Sequence, residues 1–461
     1  MTTRSAEVGL TDRLGVEPRA LVALVAAALG LGLALPLVFD LLPDGAVVQI
    51  AWGAVLLGAG WWLCGLAPAA TRTTCRRIFL VAFLARAVLA VTLVAVGFWQ
   101  DDELLYHGLS QQMVVYDDLL SAMDPRGTVA PLRYAMLCGA LYRVLGADTI
   151  GPRLLNAFMG SLVAVLAHLT ARRYGSERSA VATGWLVALY PDLLLYSASQ
   201  LKEMGAALSI SLFVWAMTER LHGIRRGLGW ALMLGAVVLA VFFRFFVVVP
   251  LALGLVWQLT ERYRQVNRTL MVIAGVLLAF DLAVFFVAPQ LSAVGTVLEW
   301  VGSVNSSLFV DSASDDQSFF NVFAQGYTPQ AVVASFVYTM MVPFIAWPFT
   351  LDDTIYKLLG PGTVVWYAIL PFVARGALHF REKGAGSLFT VVATLLLGLA
   401  LGGAFNGCGR HRTMLMPILL MYAVWGIEDF RRHDRWARFF VLAYWPLLVA
   451  GSAYYWQVKE L

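Results

Sequence analysis

Residues 78–106 read IFLVAFLARAVLAVTLVAVGFWQDDELLY, and the abrupt change of character between Phe98 and Glu103 decides the fold. From 78 to 98 there is one charge, Arg86, and the apolar side chains fall on every side of a helix instead of along one stripe. A helix rises about 1.5 Å per residue and needs about 20 apolar residues to cross hydrocarbon, so this stretch reads as a membrane span. A transmembrane strand would alternate apolar and polar positions over about 10 residues, and this stretch does not alternate.

Similar runs recur from residue 20 to residue 456 of the 461-residue chain, which is 60% hydrophobic and 13% charged, with mean hydropathy +0.74. A soluble domain runs about 45–50% apolar and about 25% charged, so a soluble enzyme is excluded and the fold class is all-α, polytopic and membrane-embedded. Spans are expected at 20–42, 46–66, 78–98, 152–171, 179–197, 203–219, 228–243, 245–260, 269–288, 361–374, 386–404, 413–427 and 439–456. The first follows Arg4, Arg13 and Arg19, has no small-residue cleavage site and leads straight into a second, so it reads as an uncleaved helix. The four cysteines match no metal spacing or disulfide framework. A net charge of +4, its basic residues scattered among apolar runs, speaks against nucleic acid as a partner.

Two further apolar stretches, 131–147 and 331–349, are settled by the rule that Lys and Arg near span ends stay in the cytoplasm. If neither crosses, 22 of the 33 basic residues fall in cytoplasmic segments, including the clusters 172–178, 220–226 and 262–268. If both cross, those three arginine-rich loops turn outward. Both are therefore expected to dip into or lie along the outer interface. Thirteen spans follow, with the N-terminus inside. The chain divides into a two-helix extension at 1–77, a catalytic module at 78–290 with an external loop at 99–151, and a C-terminal region at 291–461 with an external segment at 291–360.

On this topology Asp101, Asp102 and Glu103 emerge on the same external side as Lys202, Arg244, Arg410 and Arg412. The carboxylates either form a solvated helix start, where acidic residues favour the first turn, or belong to a site. Leu105, Leu109, Met113, Tyr116, Leu120 and Met123 recur at helical spacing behind them, which predicts an interfacial helix with that apolar face. Lys202 and Glu203 either satisfy each other or separately meet a phosphate and a substrate hydroxyl. Arg244 sits in a tight hairpin between apolar runs. Arg410 and Arg412 flank His411 and defy the topogenic bias, and a planar guanidinium suits phosphate oxygens bidentately. Arg86 needs a partner inside the bundle.

In order, DDELLY at 101–106, PLRYAMLCGALYRVLG at 131–146, GPRLLNAFMG at 151–160, the basic loop LTARRYGSERSA, the run YPDLLLYSASQLKE and a C-terminal Arg410 or Arg412 with Pro417 resemble the polyprenyl-phosphate-dependent membrane glycosyltransferases of the GT-C class. That group includes protein O-mannosyltransferases and the lipid A aminoarabinose transferase. The chain departs from it in two added N-terminal spans, in Arg133 where a tyrosine is common, and in a segment at 289–360 with no shared motif beyond VPFIAWPFT. The resemblance implies inverting transfer of a sugar from a polyprenyl-phosphate donor to a hydroxyl of a glycan, lipid or protein, at the periplasmic face of a bacterial inner membrane.

Asp102 then aligns with the general base, with Glu103 and Asp101 beside it. Arg410, Arg412, Arg244 and Lys202 would meet the donor phosphate, Arg133 and Arg126 being in reserve. Tyr106, His107, Arg153, Glu203 and His411 would line the substrate site. No cofactor is required, although Asp101, Asp102 and Glu103 offer oxygen ligands to a divalent ion. A polysaccharide polymerase or ligase using a lipid pyrophosphate is the nearer alternative. A flippase is the more distant one, since the broken-helix repeats of transporters are not evident.

The topology predicts that single cysteines at Ser110, Ser199 and Ser314 of a Cys-less variant react with an impermeant maleimide from outside, and those at Ser176 and Gly223 only after permeabilisation. External labelling of Ser176 would contradict the course assigned to 131–147.

Overall fold

A computed structural model describes residues 46–115, 129–221, 226–244, 247–260, 354–382, 391–393, 410–432, 442–446, 448 and 450. The expected spans at 20–42 and 269–288, the 331–349 stretch, Arg126 and most of the spans at 386–404 and 439–456 lie outside these residues. Among the described residues every regular element is a helix: α1 Ala46–Gly65, α2 Ala69–Ala95, α3 Asp101–Val115, α4 Val129–Leu145, α5 Ile150–Tyr174, α6 Glu177–Leu189, α7 Pro191–Ser197, α8 Glu203–Leu221, α9 Arg226–Phe243, α10 Val248–Thr260, α11 Thr354–Glu382 and α12 Arg410–Arg432. By length and composition α2, α5 and the stretch Arg412–Phe430 of α12 can cross a membrane, and α6 with α7, bent by 51°, would make a fourth. The apolar stretches Ala51–Gly65 and Gly227–Phe243 are shorter.

Polar contacts sort the helix ends into two groups. At one end Arg173 of α5 meets Glu219 of α8 at 2.6 Å, Arg375 of α11 meets Asp429 of α12 at 2.7 Å, and Ser179 of α6 donates to Glu428 of α12. At the other, Glu103 of α3 meets Arg153 of α5 at 2.7 Å, Glu203 of α8 meets Arg244 beyond α9, and Asp192 of α7 lies 3.5 Å from Arg412 of α12. Hence α5, α8, α11 and α12 run one way and α6 runs back. The two groups are the loop sets that the distribution of basic residues separates. α11 and α12 pack closely enough that a Cβ on Gly376 would strike Tyr422 O and one on Gly426 would strike Phe372 O, the use small residues have between membrane helices.

Helices α3 and α4 form a pair across the second end. Ser110 Oγ donates to Ala135 O at 3.1 Å, Arg143 donates to Met113 O at 2.7 Å, and the Tyr106 and Tyr134 rings meet edge to face at 5.1 Å. Beyond α3, α4 reaches Asn156 near the start of α5, Gln200 before α8 and Val241 near the end of α9. The inward stripe of α3 differs from the one expected. Glu103, Tyr106, Ser110 and Met113 are buried, whereas Leu105 is 51% exposed. The helix docks through hydrogen bonds and an ion pair as well as through Leu109 and Met113 of the expected stripe, which pack with Ala135 and Met136, while Leu104 and Leu105 face outward. Ser110 and Ser199 are wholly buried, so Gln111, exposed on the same helix, is the better labelling position.

Arg86 finds backbone partners. Pro191 has no N–H, and the last carbonyls of a helix have no intrahelical donor, so the break after α6 strands polar groups inside the bundle. The Arg86 guanidinium donates to Ala188 O at 2.7 Å, Val187 O at 3.2 Å and Ala82 O at 3.1 Å, a cation at a helix C-terminus. Gly160 of α5 leaves room for it, since a Cβ there would stand 2.8 Å from Arg86 Nε. Arg86→Met should therefore orphan two buried carbonyls, at about 1–3 kcal/mol each. Thermal melting in detergent should show a clear loss for Arg86→Met and a smaller one when Pro191→Ala restores an N–H. Equal losses in the two backgrounds would contradict the capping role.

Candidate active site

Glu103 stands at the third position of α3, where a glutamate can reach back to the backbone N–H before the helix. Its carboxylate is fully buried. Oε1 accepts from Arg153 Nε at 2.7 Å and from Gln200 N at 2.6 Å, and Oε2 faces Gln100 N at 3.5 Å. Arg153, equally buried, also donates to Phe98 O at 2.9 Å and lies over the Trp99 ring at 5.6 Å. Removing one partner of such a pair typically costs about 3–5 kcal/mol, because the other is left charged and dry. Glu103 and Arg153 thus serve as counter-ions to each other. The divalent-ion alternative loses Glu103 as an available ligand.

The connection between α7 and α8 is held residue by residue. Asn156 Nδ2 donates to Ser199 O at 2.6 Å and Leu201 O at 2.7 Å, Gln100 Nε2 donates to Ser199 Oγ at 2.9 Å, and Gln200 N goes to Glu103. Lys202 follows, its ammonium 5.3 Å from the Tyr106 ring centroid, a cation–π placement. Tyr106 lies four residues beyond Asp102 on α3, so both belong to one helix face. Asp102 is half-buried there.

The remaining cations divide. Arg244 is paired with Glu203, and Arg133 donates to Val241 O at 2.7 Å, one turn from Arg244. Arg244 is thus tied to the residue after Lys202, and Arg133 ties α4 to the end of α9. Arg412 is 1% exposed, its guanidinium 3.5 Å from Asp192 and 4.8 Å from the centroid of Trp366. Arg410 and His411 lie in the first turn of α12, and Asp101 in that of α3. Among the described residues no three His, Cys, Asp or Glu side chains converge.

His107 Nδ1 and Tyr142 Oη are 2.7 Å apart, and Tyr142 donates to Gln200 Oε1 at 3.0 Å. The Nδ1–H tautomer of His107 completes that chain. Burial holds the ring below the usual histidine range, Asp148 opposing the shift and Arg153 adding to it. Burial likewise pushes the Cys138 thiol up to about 12, so it is a neutral packing group.

Asp192, Gln200 and Trp366 escaped the reading of the sequence as site residues. Asp192 is 3% exposed and its Oδ1 rests against Gly362, where a Cβ would collide with it. An isolated carboxylate inside an expected span was the signal for it. Gln200 acts through its backbone, which no side-chain pattern reveals.

No protein-family model matches this chain, and no curated protein matches it. Among solved structures it is similar to the crystal structure of the Archaeoglobus fulgidus oligosaccharyltransferase in the apo form, at 16% identity and a TM-score of 0.35, over 82% of this chain and 55% of that one. The chain spans about half the length of that enzyme, and a likeness this distant bears on neither substrate nor residue roles.

Proposed function

We propose that the chain is a membrane glycosyltransferase that moves a sugar from a polyprenyl-phosphate donor to an acceptor hydroxyl at the outer face of the membrane, with Asp102 as general base. The observation that carries this reading is that α3, which bears Asp102, and α4, which bears Arg133, dock on the end of the bundle where Lys202 lies over Tyr106 and Glu203 meets Arg244. The order of motifs shared with GT-C enzymes supports it independently.

In the reaction, the acceptor oxygen attacks the anomeric carbon while its proton passes to Asp102 and the bond to the phosphate oxygen breaks. The sugar inverts and polyprenyl phosphate leaves with the electron pair. Charge grows on that oxygen in the transition state, so a cation already in place there lowers the barrier more than it stabilises the bound donor. Lys202 is the first candidate, since its ammonium lies over Tyr106, on the helix face that carries Asp102. No metal is needed for this role.

Asp102→Asn keeps the size of the side chain and removes its basicity. Turnover should fall by about 10²- to 10⁴-fold, with donor affinity within a few fold of the parent. Near-normal turnover, or a larger loss for Asp101→Asn, would contradict the assignment of the base.

A further inference from the structure

We propose that Glu103 is a positioning residue that fixes Lys202, through the backbone N–H of Gln200, over the face of α3 that carries Asp102. This rests on the functional reading above. One buried carboxylate touches both halves of the site. Through Oε2 and its place in the first turn it belongs to α3, where Asp102 is its neighbour. Through Oε1 it holds Gln200, two residues before Lys202.

Lys202 is anchored on the other side as well, because Glu203 is tied to Arg244. It therefore sits between two fixed points, with its ammonium over Tyr106 on the Asp102 face. Arg153 pairs with Glu103 at 2.7 Å and seats it against the start of α5. Misplacing a catalytic group by about 1 Å can cost about 10²-fold in rate, so a device that sets base and phosphate cation from one atom pair has direct consequences for turnover.

A purely stabilising Glu103 and a positioning Glu103 differ in how a change there combines with loss of Lys202. The test is a double-mutant cycle on affinity for a non-hydrolysable polyprenyl-phosphonate sugar, using Glu103→Asp, Lys202→Ala and the combination, each verified by cooperative thermal melting. Glu103→Asp keeps the charge beside Arg153 but draws the carboxylate back by one methylene, about 1.5 Å.

Each single change should weaken the probe by about tenfold, and the double change by about tenfold also, since Glu103 acts through Lys202. Additive losses near a hundredfold overturn the inference and leave the functional reading standing. So does a Lys202→Ala variant within twofold of the parent. Failure of the parent protein to bind the phosphonate overturns the functional reading and the inference with it. If Glu103→Asp does not melt cooperatively, Glu103→Gln completes the cycle, and if neither folds, Glu103 is a folding residue and the inference falls.

Discussion

The buried pair of Glu103 and Arg153 is the contact on which this end of the molecule depends. Three segments meet there: the connection from α2 into α3 through Phe98, Trp99 and Gln100, the start of α5, and the connection before α8 through Gln200. Taking two charges out of water is favourable only when the remaining lone pairs and N–H groups are also satisfied. Here the backbone groups of Phe98, Gln100 and Gln200 do so. The α3–α4 pair is thereby fixed over the bundle, and with it the helix face that carries Asp102.

A second constraint works at the broken span. Inside a membrane every backbone polar group must be satisfied within the protein, and Pro191 interrupts that supply between α6 and α7. Arg86 replaces the missing donors, so the break can persist. Because the chain bends by 51° there, Asp192 is carried to Arg412, whose guanidinium lies over Trp366, and the starts of α7 and α12 meet α11 near Gly362 and Trp366. Two arginines that hydropathy alone would mark as costly are thus the means by which irregular backbone is held inside the bundle.

The helices were legible in the sequence because a span writes its length and polarity into consecutive residues, and the two sets of helix ends were legible because arginine clusters mark one of them. Pairings were not. Glu103 and Arg153 are separated by 50 positions and Asp192 and Arg412 by 220, and no local periodicity links such partners. The partners of Arg86 are carbonyls, which leave no trace in side-chain composition. On α3 the expected apolar stripe is met at Leu109 and Met113 and missed at Leu105, because polar contacts of Glu103 and Ser110 share the docking face with apolar ones. By residue type Asp102 stood out only as one of three adjacent carboxylates, and it was the resemblance that singled it out. It is their surroundings that separate a buried counter-ion at 103 from a half-buried group at 102.

What results is an end of the bundle where most arginines already face carboxylates and a lysine is set over the helix face of a half-buried aspartate. That distribution suits a reaction in which a proton leaves one partner and negative charge appears on the other. The most direct test is to incubate the purified protein with a polyprenyl-phosphate sugar labelled in the sugar, together with cell-envelope acceptors. The account predicts loss of label from the lipid and its appearance on an acceptor, with release of polyprenyl phosphate. Label that stays on intact lipid, or lipid that crosses a vesicle bilayer uncleaved, would contradict it.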